Sequence, residues 1–233
     1  MHKLLIFKHK KYIQTSLAVF FICLLLPLLN LIKVTISYKP KTIVTGDKFN
    51  YSYEIYSSDN SLIRKLSRKF DISDKSEKIP DLLKKAFISA EDKRFMSHHG
   101  IDLQGSFRAL RNNFQSGYIR EGGSTITQQV ARILFLNNDL NIKRKIKEVL
   151  ISILLDLKYE KKQILKLYLN NIYLGSGAYG VNEAANIYFG KFINELTLSE
   201  IALIVGLAPA PSIYSPFNNE NLAFKNRDKI LRN

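Results

Sequence analysis

GGSTITQQVARILF, residues 122–135, decides how this chain is read. Thr125 followed by Gln128 three positions later is the pattern of a reciprocal helix cap. Val130, Ile133, Leu134 and Phe135 give the helix that opens there an apolar side. Gly122 and Gly123 let the backbone approach a ligand closely. Ser124, Thr125 and Thr127 add hydroxyls, and Gln128 and Gln129 add amides. A helix starting here offers free N–H groups and a positive dipole end to an anion. An ordinary cap with polar neighbours is the plainer reading. No lysine follows the glycines in G-K-[ST] order, which excludes a P-loop.

Upstream, Pro80 is placed to be a first helical residue. Leu82, Leu83, Phe87 and Ile88 carry a helical face towards EDKRFMSHHG, residues 91–100. Glu91 and Asp92 are adjacent and point about 100° apart on a helix, so they do not share one job. A carboxylate partly enclosed by apolar walls has its pKa raised and becomes a usable base, while Lys93 and Arg94 pull the other way. A surface acid pair is the bland alternative.

Downstream, Lys143–Leu169 is long and amphipathic, read as two helices joined near Tyr159, with Ile146, Leu150, Ile153, Leu154 and Leu157 as the buried stripe. Arg144 and Glu148 share a face four residues apart. They form either a solvated ion pair or, with Lys145, a cation clamp for a diphosphate, which Lys161 and Lys162 extend or leave. Gly175, Gly177 and Gly180 mark a turn before a short helix over Val181–Phe189. Thr197 and Glu200 repeat the capping box, and that helix ends before Pro209–Pro211. His98 and His99 lack further ligands for zinc, since the other histidines lie in the N-terminal tail.

The 233 residues carry 35 Lys/Arg against 20 Asp/Glu, a net charge of +15. Such a surplus favours anionic partners, whether nucleic acid, phosphorylated substrates or acidic lipid, without choosing among them. Cys23 is the sole cysteine, so no intrachain disulfide forms. Residues 1–15 form a basic tail, and SLAVFFICLLLPLLNLIKV, residues 16–34, is long enough to span a bilayer. Lys3, Lys8, Lys10 and Lys11 keep the tail cytoplasmic and place the rest outside the inner membrane. A cleaved signal peptide is the rival, but no A-x-A-like site follows. Residues 35–77 read as a linker containing one short strand, in which Phe49, Tyr51, Tyr53 and Ile55 alternate. Residues 57–75 read as a polar stalk or loose loop. Residues 78–233 form the mostly helical domain.

Over roughly residues 78–233 the chain resembles the peptidoglycan glycosyltransferase domain of bifunctional penicillin-binding proteins and their monofunctional relatives. Five ordered motifs carry the resemblance: Glu91, Asp92, Phe95, His98 and Gly100; GGSTITQQ; Arg144, Lys145 and Glu148; Lys161, Ile164, Leu165, Tyr168, Leu169 and Asn170; and GAYGVNEAANIYFGK, residues 177–191. The resemblance implies a mainly α, lysozyme-like, two-lobed domain with a short β segment, preceded by a single transmembrane helix. It implies lipid II and the growing glycan strand as substrates, Glu91 as general base, and Glu148 at the site of the departing diphosphate. Asp92, Phe95, His98, Ser124, Thr125, Thr127, Gln128, Gln129, Arg132, Arg144, Lys145, Lys161 and Asn170 are then expected around the substrate. No tightly bound cofactor is implied, although a divalent ion such as Mg2+ assists some members.

The implied partners are inner-membrane lipids and other wall-synthesis and division proteins, not nucleic acid. Glu121 and Leu103 depart from the common Gln and Pro of the family, which bears on rate. No S-x-x-K motif follows, so the expectation is a monofunctional polymerase or the front part of a longer protein. The rivals are a lytic enzyme cutting the same glycan and a non-catalytic, membrane-tethered anion-binding module.

Overall fold

The computed structural model describes residues 51–68, 79–117, 122–136 and 141–232. The basic tail, the anchor and Glu121 therefore lie outside the described residues. Among the described residues no helix is long and apolar enough to cross a membrane.

Two antiparallel strands, β1 (Tyr51–Tyr56) and β2 (Leu62–Arg68), form a hairpin in the register Tyr51 opposite Arg68 through Ile55 opposite Arg64. The first was expected from its alternation. The second corrects the reading of stalk or loop for residues 62–68, while residues 69–75 lie outside the described residues. Charged residues do not exclude a strand, since lysine in particular is common on the edge strands of sheets. The turn between the strands uses Asn60 in the left-handed region, with φ 63°.

The rest is helical: α1 (Asp81–Glu91), α2 (Leu103–Ser116), α3 (Ile126–Phe135), α4 (Ile142–Lys158), α5 (Lys161–Asn171), α6 (Val181–Phe189), a 3-10 turn (Ile193–Glu195), α7 (Leu198–Leu207), α8 (Pro211–Tyr214) and α9 (Glu220–Leu231). The break between α4 and α5 falls at Tyr159, as the sequence suggested. Both capping boxes form: Gln128 N donates to Thr125 Oγ1 at 3.1 Å, and Thr125 N to Gln128 Oε1 at 2.9 Å. Thr197 caps α7 in the same way with Glu200. Pro80 caps α1 instead of opening it, because its ψ of 140° is extended while its carbonyl accepts from Lys84 N.

The core gathers on α7, where Ile201–Leu207 is buried throughout. Leu83 and Phe87 of α1 pack on α7, and α9 covers it from another side. Leu82 lies outside this core and is half exposed. Helices α3, α4 and α5 pack together, with Ile126, Val130, Ile164, Leu167 and Tyr168 buried.

The face that α4 buries differs from the one its apolar spacing predicts. Glu148, Ser152 and Leu155 are buried, whereas Ile146, Leu154 and Leu157 are exposed. Two stripes at helical spacing compete on this helix. The one holding a small residue wins because Gly100 comes up against it: a Cβ on Gly100 would stand 2.5 Å from the Ser152 carbonyl oxygen. Gly100 also has φ +77°. Gly100→Ala is therefore expected to cost at least about 1–3 kcal/mol through backbone strain alone. Thermal unfolding checks this, and an unchanged midpoint refutes the close contact.

Candidate active site

Glu91 is the last residue of α1, and Asp92 is its C-cap. Leaving the helix at this point turns the two acids to different tasks. Asp92 is buried and accepts from His98 Nε2 at 2.9 Å and from the Ile126 backbone N–H at 2.9 Å. The anion at the N-terminus of α3 is therefore the chain's own Asp92. The Ile126 amide, one of those expected to be free for a ligand there, is thereby taken. A buried N–H must be paired, and a carboxylate at a helix start gains from the dipole. Gln128 N–H is likewise taken by Thr125, whose hydroxyl donates to the Gly100 carbonyl at 2.7 Å.

Glu91 keeps partial access to solvent. Burial pushes its carboxyl above the ordinary 4.5, against a hydrogen bond from Gln129 and the positive charge of Arg132, while Asp92 adds to the rise. Gln129 Nε2 donates to Glu91 Oε2 at 3.0 Å. Lys93 and Arg94 were expected to counter the rise, but Arg94 pairs with Asp102 and Gln104 instead. Arg132, one turn beyond Gln129 on exposed α3 surface, takes that role.

The second cluster sits on α4. Arg144 Nη1 and Lys145 Nζ each donate to an oxygen of Glu148, whose side chain is 1% exposed. This is not the solvated pair considered from the sequence. Lys145 Nζ also donates to Ser124 Oγ at 2.8 Å. The segment 124–129 thus joins the two clusters, with Ser124 at one end on Lys145 and Gln129 at the other on Glu91. Gly122 and Gly123 precede it, and among the described residues nothing lies within 4 Å of where a Gly122 Cβ would be.

Among the other expected site residues, Phe95, His98 and Lys161 contact one another or Asp92 and Asp156. Phe95 is fully buried, with the Lys161 ammonium 4.9 Å from its ring centre. Lys161 also donates to the His98 carbonyl at 2.6 Å and pairs with Asp156. Asp156 lies eight positions along α4 from Glu148, about 12 Å at the helical rise, so these contacts draw Lys161 away from the Glu148 cluster. His98 spends Nε2 on Asp92, and its buried Nδ1 has no partner among the described residues. Thr127 is buried and its hydroxyl is likewise unpartnered. Asn170 is half buried at the end of α5, where its carbonyl lies against Gly180.

Among the described residues no group of three or more His, Cys, Asp or Glu side chains is placed to hold a metal ion. The Glu148 oxygens face cations, so the residues as arranged do not form a cage for Mg2+, which takes oxygen ligands. Tyr168, part of the fourth motif, also reaches the site: its hydroxyl lies 3.5 Å from Gln129 Oε1. Its tyrosine identity at a buried helical position was the available signal.

A sequence profile described as Transglycosylase matches residues 59–233. The chain belongs to the transglycosylase family. It is 46% identical over 178 residues to Penicillin-binding protein 1A of Escherichia coli K12, covering 76% of this chain and 21% of that protein. With Penicillin-binding protein 1A of Aquifex aeolicus it is 46% identical over 167 residues, covering 72% and 23%. A crystal structure of Penicillin-Binding Protein 1A from Haemophilus influenzae is similar at 25% identity and TM-score 0.42, over 79% of this chain and 18% of that one. The chain spans about a fifth of the length of the curated relatives it matches. The matched region of the chain takes in strand β2 and every helix described above.

Proposed function

We propose that this chain is a peptidoglycan glycosyltransferase that polymerises lipid II into β-1,4-linked glycan. The observation that carries the reading is the pairing of a raised, partly accessible carboxyl on Glu91 with the Arg144–Lys145–Glu148 cluster, joined through segment 124–129. Glu91 accepts the proton from the 4-hydroxyl of the acceptor N-acetylglucosamine. That oxygen forms a bond to C1 of the muramyl unit at the end of the growing strand. The C1–oxygen bond to the diphosphate breaks, its electron pair leaves with undecaprenyl diphosphate, and the anomeric centre inverts. An alcohol is a weak nucleophile and needs a base at contact distance. A diphosphate is already a good leaving group, so it calls for charge neutralisation more than for an acid. Lys145, with 44% of its side chain exposed, is the cation freest to turn to it.

A raised carboxyl also suits a glycan-cleaving enzyme, where it serves as the acid. The cation cluster favours synthesis, because an alkoxide leaving group needs a proton and not a diphosphate clamp. Electrophoresis of products from labelled lipid II separates the two. Synthesis gives a ladder of strands with undecaprenyl diphosphate released, whereas cleavage gives none from lipid II and shortens preformed glycan.

The apolar stripe of α2 supports work at a lipid surface. Leu103, Phe107, Leu110 and Phe114 lie on one face and are all exposed, Phe114 to 88%. Their 4-3-4 spacing puts them over one another along the helix. Changing Phe107 and Phe114 together to Glu is expected to lower co-sedimentation with anionic vesicles at least tenfold. Each aromatic contributes about 1.5–3 kcal/mol when fully buried. Unchanged binding removes α2 from the membrane contact.

A further inference from the structure

We propose that Tyr168 is a positioning residue for Glu91, acting through Gln129, so that three helices fix the direction of one carboxylate. This rests on the reading of Glu91 as the base. The chain of contacts runs from α5 to α3 to α1. Tyr168 is fully buried and packs edge-on against Phe87, with ring centres 5.8 Å apart at 81°, so its ring has one seat. Its hydroxyl points at Gln129 Oε1 at 3.5 Å, and Gln129 Nε2 donates to Glu91 Oε2 at 3.0 Å.

A glutamine amide offers an acceptor at one end and donors at the other. Unanchored, it can present either to Glu91. A hydroxyl donating to Oε1 selects the arrangement in which the NH2 faces the carboxylate. Burial, reinforced by the charge of Glu91, holds the Tyr168 phenol well above its ordinary 10, so this hydroxyl stays a donor throughout the working range. The other charged groups acting on Glu91 are Asp92 at the end of α1 and Arg132 on α3. Neither discriminates between the two amide orientations as a directed hydrogen bond does.

The lock favours ionised Glu91, since a donor stabilises the carboxylate and an acceptor opposes it. Its loss therefore moves the acid-side limb of the rate profile to higher pH. A residue that only fills space leaves that limb where it was.

The test uses Tyr168→Phe, Gln129→Ala and the double variant in the full chain, with lipid II as substrate across a pH series. Tyr168→Phe is expected to lower kcat about fivefold, the size of one neutral hydrogen bond, with KM unchanged and the acid limb moved upward. In the Gln129→Ala background Tyr168→Phe is expected to change nothing further, because the two act as one unit. An unmoved acid limb, or an equal further loss in that background, overturns the proposal. Carbon-13 NMR titration of the Glu91 carboxyl, assigned against Glu91→Gln, reads the same lock without turnover. An upward move in Tyr168→Phe supports the relay even if lipid II is not polymerised, in which case the glycosyl-transfer reading alone fails. An unmoved titration overturns the relay whatever the activity.

Discussion

Glu91→Gln gives a folded protein whose polymerisation of lipid II falls by about 10²–10⁴, the range that a positioned general base contributes. The amide keeps the shape of the side chain and keeps a partner for Gln129, but it cannot accept the hydroxyl proton. The same change is expected to stabilise the fold at neutral pH. Burial raises the Glu91 carboxyl above 4.5 in the folded state, so the native chain holds that proton more tightly than the unfolded one. Between 4.5 and the raised value the native state binds more protons, and stability from this group declines as pH rises. Above the raised value the whole cost of holding a carboxylate there is present. The gain from Glu91→Gln is therefore full above that window and vanishes as pH falls through it. Thermal unfolding of both proteins over a pH series reads this directly. A variant that is less stable than wild type at neutral pH, with its rate intact, contradicts both halves.

Glu148→Gln is expected to lower stability and turnover together. Glu148 is enclosed, and Arg144, whose side chain is 14% exposed, depends on it. The Arg144 Nε is already buried without a partner among the described residues. Removing one member of such a buried pair leaves the other charge uncompensated and costs about 3–5 kcal/mol. The partly exposed Lys145 adds little to that figure, because solvent screens its share. Denaturant unfolding measures the loss, and a change under about 1 kcal/mol would show a pair no stronger than a surface one. Replacing Glu148 and Arg144 together by Leu and Met separates fold from chemistry. Apolar groups of similar volume restore a buried ion pair's stability in other proteins. Here stability is expected to return while turnover stays lost, because no cation pair remains for the diphosphate.

Local signals were readable from sequence, and their reach ended where partners come from elsewhere in the chain. The caps at Thr125 and Thr197 were legible because each is contained within four residues. The start of α6 followed from Gly175, Gly177 and Gly180 before it. The buried face of α4 was not legible, because the apolar stripe points outward and the buried one carries Glu148 and Ser152, with Gly100 meeting Ser152. Asp92 binding Ile126 N spans 34 positions, and Tyr168 to Gln129 spans 39. No periodicity encodes either contact. The motifs therefore located the acids and the cations, while their division of labour needed the fold: Asp92 secures the start of α3, and Glu91 remains available.

The pH dependence of kcat for lipid II polymerisation by the unaltered chain tests the central claim most directly. A partly buried carboxylate acting as base predicts a rate that rises with pH along a limb centred above 4.5. A limb at or below that value, or a rate that climbs as the medium becomes more acidic, contradicts the account.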